Sequence, residues 1–255
     1  PAPTATATNT PVVRAAATGA PATTPIPPAA PTATLAPLPV LPPQRNTLNV
    51  ILLGSDHRGS ASDWRTDTMI VVMVDPASRQ AAAISLPRDL WVAIPGRPPN
   101  RINTLDEFGG PALVKKVIGA SLGIPIDYFV RVDFDGFTKA IDAIGGITIN
   151  VDCTLRETTW VYPKGLNQMD GRRALFFARS RETTSVYDRM RRQTQVLWAV
   201  REKMLTPEMF GRIPALIGAL NGFFQTDLPP TTILSLASLA RGIKPADIHG
   251  LTVDY

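Results

Sequence analysis

Residues 128–151, YFVRVDFDGFTKAIDAIGGITINV, decide the fold class. Positions 128–132 alternate like a strand with one covered face, whereas 134–144 place apolar side chains at helical spacing. Gly145-Gly146 breaks that helix, and 147–151 return to a period of two. Strand, helix and strand in so short a span describe a sheet covered by helices, so the expected class is mixed α/β.

The same punctuation continues outward. Residues 48–53 (LNVILL), ended by Gly54, read as a strand inside a sheet. Residues 69–74 (MIVVMV) and 81–86 (AAAISL), joined through Asp75-Pro76-Ala77-Ser78, read as a hairpin that 91–94 is expected to extend. Gly109-Gly110-Pro111 opens a helix carrying Leu113, Val114, Val117, Ile118 and Leu122, which Gly123 closes. Further helices are expected over 170–178, from Asp188 through Met204, over 207–220 and over 230–241, followed by a strand at 250–253.

The first 46 residues are of another kind. Through Gln44 they are almost wholly Ala, Thr, Pro and Val, with Arg14 as the one charge and twelve of the chain's 25 prolines. Such a stretch cannot build a core and is expected to be a disordered, partly polyproline-like linker or stalk, leaving 47–255 as the folded domain. The sequence opens without methionine, and the expectation is that an upstream anchor or signal segment precedes it. No run of 18 apolar residues occurs.

A single Cys153 excludes an internal disulfide framework, and two isolated histidines, His57 and His249, argue against a zinc centre. The formal net charge of +5 points to an anionic partner. Between Arg172 and Arg192 seven arginines occur in twenty-one positions and lysine is absent. Guanidinium presents paired donors in a plane that matches phosphate oxygens, so the choice of Arg over Lys makes geometry matter as well as charge. On a helix Arg189, Arg192 and Gln193 share one side near an N-terminus, where backbone donors also favour an anion, and Arg191 points elsewhere. Arg172 and Arg173 read as solvated helix-surface charges, and Phe176 and Phe177 as core. No nucleic-acid-binding pattern accompanies the basic residues, so no nucleic acid is expected.

Asp56 follows the first strand, while Arg65 and Asp67 precede the second. Strand ends are where sheet proteins place ligands. Two acids brought close repel unless a cation or proton lies between them, and hard oxygen donors suit Mg²⁺ or Mn²⁺. The spacing alone leaves this reading beside that of a turn aspartate with a surface ion pair. Arg88, oriented by Asp89, ends the third strand, and Arg101 stands in a loop before a helix.

Taken in order, NVILLGSD, RTDTMIVV, SLPRD, INTLDEFGGP, GIPIDYFVRVDFDGF, IDAIGGITINV, ARSR and DRMRRQ resemble the LytR-CpsA-Psr family over residues 49–227. The resemblance implies an α/β/α fold around a central mixed sheet, with an apolar pocket for a prenyl chain. It also implies a domain at the extracytoplasmic face of a bacterial membrane, held by an N-terminal anchor. The implied reaction transfers a glycopolymer from an undecaprenyl (polyprenyl) pyrophosphate carrier to a cell-wall acceptor, peptidoglycan, with release of the lipid monophosphate. By match to the family motifs, Asp56 and Asp67 are the metal-associated acids. Arg65, Arg88, Arg179, Arg181, Arg189, Arg192 and Gln193 hold the pyrophosphate or its metal, and Arg101 stands where relatives often carry lysine. The competing readings are a non-catalytic prenyl-phosphate binder and a regulator of the transcriptional-attenuator type.

Overall fold

The computed structural model describes residues 47–56, 64–180, 185–220 and 222–253. The expected Pro/Ala/Thr-rich linker, at 1–46, lies outside the described residues.

The elements run β1 (Leu48–Ser55), β2 (Thr66–Asp75), β3 (Gln80–Ser85), β4 (Trp91–Val92), β5 (Asn100–Arg101), a 3₁₀ turn (Ile102–Thr104) and α1 (Leu105–Leu122). Then come β6 (Tyr128–Val132), α2 (Phe134–Ala143), β7 (Ile147–Val151), β8 (Leu155–Arg156), β9 (Val161–Tyr162), β10 (Gly165–Met169) and α3 (Gly171–Arg179). The chain continues through α4 (Val186–Met204), α5 (Pro207–Ala219), β11 (Phe224–Thr226), α6 (Pro230–Gly242), a second 3₁₀ turn (Pro245–Asp247) and β12 (Ile248–Thr252). The central sheet has six strands in the order β11-β6-β1-β2-β3-β12. It is mixed: β1 runs parallel to β6 and β3 parallel to β12, while β1–β2, β2–β3 and β11–β6 are antiparallel. The fold is mixed α/β, and β1 lies inside its sheet as expected.

Because side chains alternate along a strand, β1 and β2 offer two different faces. Ile51, Leu53, Met69 and Val71 pack with Val114, Val117 and Ile118 of α1 in one core. The second core lies elsewhere, among α2, α3, α4, α5, β7 and β10, around Ile141, Ile147, Met169, Phe177 and Val196. Between that second core and the sheet is a cavity, so Leu52 and Ile70, one residue out of phase with the α1 core, line open space.

Local chemistry fixes the helix starts nearest the cavity. The Asp133 carboxylate accepts from Gly136 N at 2.7 Å, and Asp170 accepts from Arg173 N at 2.7 Å, each satisfying an otherwise orphaned donor. Gly171 lets α3 approach α2, since a Cβ there would collide with the Thr138 carbonyl.

Four expectations need correction. The 91–94 stretch does not extend the meander: β4 pairs with β5 in a separate ribbon. Residues 147–151 form β7, but it pairs with β10 outside the central sheet. α1 starts at Leu105, before the two glycines, and Gly109-Gly110 kinks it with non-helical backbone ahead of Pro111. α4 starts two residues before Asp188: Ser185 is its cap, and Asp188 completes a capping box from the third helical position.

Candidate functional site

The site forms where β1, β2 and β3 end. The register passes from Gly54 opposite Thr68 to Ser55 opposite Thr66, which leaves Asp67 as the extra residue of a β-bulge. A bulge breaks strict alternation and re-aims a side chain, which is how Asp67 comes to face the same space as Asp56. Both carboxylates line two adjoining cavities, and so does Arg88 from the segment after β3. Behind them the Ser55 hydroxyl donates to the Arg65 carbonyl at 3.0 Å and fixes the approach to β2.

Arg88 donates from Nη1 to Asp67 Oδ1 at 2.8 Å and from Nε to Asp89 Oδ2 at 3.3 Å, so Asp89 orients it as expected. Burial alone would lower the affinity of this guanidinium for its proton, but Asp67 and Asp89 outweigh burial and hold its pKa above the ordinary value. Arg101 joins the chain through Nη1 to Asp89 Oδ1 at 3.3 Å, and Arg65 Nε reaches Glu107 Oε2 at 3.2 Å. Asp56, Arg65, Asp67, Arg88, Arg101 and Glu107, with Asn100, Asn103, Thr104 and Phe108, line a polar pocket of about 420 Å³.

The other cavity is larger, about 720 Å³, and its walls are apolar. Its sheet wall carries Leu52, Ile70 and Val130, and its helix wall carries Leu175, Phe176 and Leu197. That volume lies within the range of small-molecule sites. Phe176 is therefore a wall residue, 38% exposed, whereas Phe177 is fully buried core as expected. At the mouth Arg179, the last residue of α3, stacks over the Phe134 ring 4.0 Å from its centroid. Arg189 and Gln193 reach the cavity from the first turns of α4 while themselves buried.

Arg192 departs from the group. It lines neither cavity. It donates from Nε to the Phe177 carbonyl at 3.1 Å and from Nη2 to the Ser180 carbonyl at 2.7 Å, capping the C-terminal end of α3 next to Arg179. Burial lowers its pKa, with Asp188 and Glu157 opposing. Arg191 points away and pairs with Asp152 at 2.6 Å. Arg173 is not a simply solvated charge: Nη2 donates to the Val161 carbonyl at 3.0 Å. Arg181 lies outside the described residues.

Sequence reasoning missed Glu107, Asn103 and Glu157. Glu157 lines the apolar cavity near its polar rim and accepts from the Ser180 hydroxyl. The signal for Glu107 was present, an acid in the first turn of a helix that follows a loop arginine. Nothing local marks the cavity walls.

Two carboxylates on one rim form a hard-oxygen donor pair. Among the described residues no group of three or more His, Cys, Asp or Glu is placed to hold a metal ion. That number fits Mg²⁺, which is commonly held by one or two carboxylates, with substrate oxygens and water completing its shell.

Known proteins share this arrangement of strands and helices. The profile of the LytR_cpsA_psr family matches residues 12–255. The chain belongs to the LytR-CpsA-Psr family. Relatives of this LytR-CpsA-Psr chain include the regulatory protein MsrR of Staphylococcus aureus, 32% identical over 211 residues. That match covers 81% of this chain and 64% of MsrR, so the chain spans just under two thirds of that relative's length. The polyisoprenyl-teichoic acid–peptidoglycan teichoic acid transferase TagU of Oceanobacillus iheyensis is 30% identical over 225 residues, covering 83% of this chain and 70% of TagU. The crystal structure of Bacillus subtilis TagV superposes with a TM-score of 0.74 at 28% identity, covering 83% of this chain and 85% of that one.

Proposed function

We propose that this LytR-CpsA-Psr domain is a phosphotransferase that moves a glycopolymer from a polyprenyl pyrophosphate carrier to a hydroxyl of a cell-wall acceptor, peptidoglycan, releasing polyprenyl phosphate. The carrying observation is that an apolar cavity opens on a rim carrying the carboxylates of Asp56, Asp67 and Glu157 and three arginines, Arg88, Arg179 and Arg189. Such a site suits a ligand with a long apolar tail and a polyanionic head. The relative TagU, a polyisoprenyl-teichoic acid–peptidoglycan teichoic acid transferase, supports the same substrate class.

In this reading the prenyl chain lies against Leu52, Ile70 and Phe176, where burial removes apolar surface from water. Arg88, Arg179 and Arg189 hold the pyrophosphate oxygens, and Gln193 adds a donor. Mg²⁺, when bound at Asp56 and Asp67, would supply charge neutralisation at the pyrophosphate. Arg179 keeps its place because Arg192 fixes the end of α3 behind it and the Phe134 ring supports its plane. Catalysis is then mostly positioning and charge stabilisation, as expected where charge collects on phosphoryl oxygens. The domain works on the extracytoplasmic face of the membrane, where the lipid carrier and the wall meet.

The test is transfer from a fluorescent saccharide-pyrophosphoryl-prenol to peptidoglycan. The wild-type domain produces a labelled wall and prenyl phosphate, and Arg179→Ala and Asp67→Ala lose turnover while remaining folded. Turnover retained in both variants refutes the assignment, and tight prenyl binding without turnover identifies a carrier protein instead.

A further inference from the structure

The apolar cavity lies against one face of the sheet, and the polar pocket lies at the strand ends beside the start of α1. The apolar cavity is walled by Leu52, Ile70 and Val130 and by α2, α3 and α4. The polar pocket is built from the 3₁₀ turn and the first turn of α1, the helix that packs on the other face. The two spaces share Asp56, Asp67 and Arg88, which stand between them at the strand ends.

That placement matters for the geometry of phosphoryl transfer, in which attacking and leaving oxygens lie roughly in line across phosphorus. If prenyl phosphate departs into the apolar side, the nucleophile must arrive from the other side. We infer that the polar pocket is the acceptor subsite, taking a saccharide whose hydroxyl attacks the glycan-bearing phosphorus held at Asp56, Asp67 and Arg88. This inference rests on the phosphotransfer reading and extends it to the second substrate. The new bond joins the acceptor oxygen to phosphorus, the bond between that phosphorus and the bridging oxygen breaks, and the electron pair leaves with prenyl phosphate. The hydroxyl proton ends on the released monophosphate.

The lining suits a polyol. Asn103 is 8% exposed, and its Oδ1 is a buried acceptor with no hydrogen-bond partner among the described residues. A buried polar atom left in that state is costly, and its need is for a donor. The Thr104 hydroxyl donates to the Arg101 carbonyl at 2.7 Å, so its oxygen presents lone pairs. The Glu107 carboxylate adds further acceptors next to Arg65. Acceptors interleaved with guanidinium donors match a ligand whose hydroxyls both give and take hydrogen bonds.

The experiment measures binding of two probes to the full chain, the N-acetylglucosaminyl-N-acetylmuramic acid disaccharide and a prenyl pyrophosphate. Wild type, Asn103→Ala and Thr104→Val are compared. The expected result is disaccharide binding by wild type that weakens about fivefold to tenfold in each variant, the effect of one hydrogen bond, with prenyl pyrophosphate affinity unchanged. In the transfer assay the same variants raise KM for the acceptor and leave KM for the donor alone. Thr104→Val carries the test should Asn103→Ala fail to fold. Absence of disaccharide binding by wild type overturns the inference, as does unchanged disaccharide affinity in the folded variants or a loss confined to prenyl pyrophosphate. Displacement of the disaccharide by the intact lipid-linked donor also overturns it, because the pocket would then hold the donor's own glycan. Failure of the phosphotransfer reading looks different: both probes bind with the expected pattern, and no product forms.

Discussion

Asp67 Oδ1 accepts from Arg88 Nη1 at 2.8 Å because a β-bulge turns Asp67 toward the residue that follows the third strand. Both side chains are partly exposed, at 34% and 25%. An ion pair at that exposure contributes little to stability, on the order of 1 kcal/mol or less. Asp67→Asn keeps the shape and removes the charge. The expected outcome is a melting temperature within a few degrees of wild type and a fall in transfer of about a hundredfold, with a higher Mg²⁺ concentration needed for half-maximal rate. An unchanged Mg²⁺ requirement would separate Asp67 from the cation.

Arg179 and Arg192 come from one arginine-rich stretch but do different work. Arg192→Ala strips donors from the Phe177 and Ser180 carbonyls and leaves them in a buried setting, so it should cost about 2 kcal/mol or more in chemical denaturation. Arg179→Ala, at an exposed position, should cost under about 1 kcal/mol while losing transfer. Equal stability losses in the two variants would contradict the division.

That division marks how far the sequence could be read. The strand ends carrying Asp56, Asp67 and Arg88, and the helical spacing that sets Arg189 and Gln193 on one side, were visible because period and punctuation are local. The bulge at Asp67 was not, since register is a property of two strands together. Nor could sequence separate Leu52 from Leu53 or Phe176 from Phe177: neighbours in an apolar run differ only in which face has something packed on it. Arg192 looked like a ligand group because the carbonyls it satisfies belong to another helix.

Ala140 on α2 lines the apolar cavity. Ala140→Phe puts a ring into empty space, and cavity filling commonly adds about 0.5 to 2 kcal/mol of stability. The expected outcome is a raised melting temperature together with weakened binding of long-chain prenyl phosphate, while a two-isoprene analogue binds nearly as before. Equal loss for short and long chains would place Ala140 at the headgroup instead of along the tail.

Ser185 caps α4, and hydrogen bonds from its side chain and backbone hold the Asp188 carboxyl below the usual carboxylate range. The sign follows from linkage: a depressed folded pKa contributes stability above the unfolded value and loses it as pH falls through the folded one. Ser185→Ala should cost about 1 kcal/mol near neutrality. Asp188 is largely solvated, so its share of that cost is small, and the gap between variant and wild type should narrow below about pH 4. Denaturant midpoints measured across that range check it, and a gap that widens in acid would be the wrong sign.

Asp106 and Arg131 are joined at 2.8 Å across the face of the sheet that carries α1, with side-chain exposures of 0% and 11%. Burial raises the Asp106 pKa, and Arg131 acts against that rise. Arg131 also bonds Gln225 and stacks on the Trp64 ring 3.9 Å from its centroid. Trp64 precedes Arg65, and Asp106 precedes Glu107, so two adjacent pairs tie the entry to β2 to the first turn of α1, one through Arg131 and one through the Arg65–Glu107 contact. Asp106→Ala leaves a buried guanidinium uncompensated and should destabilise the domain by about 3 to 5 kcal/mol. Arg131→Met replaces the charge with apolar volume but strands Asp106, whose raised pKa lets it take up a proton at modest cost. Its loss should therefore be smaller, and smaller still at pH 5 than at pH 8. A larger loss for Arg131→Met than for Asp106→Ala, or one that grows in acid, would mean that the pair is held together by something other than the burial of two opposite charges.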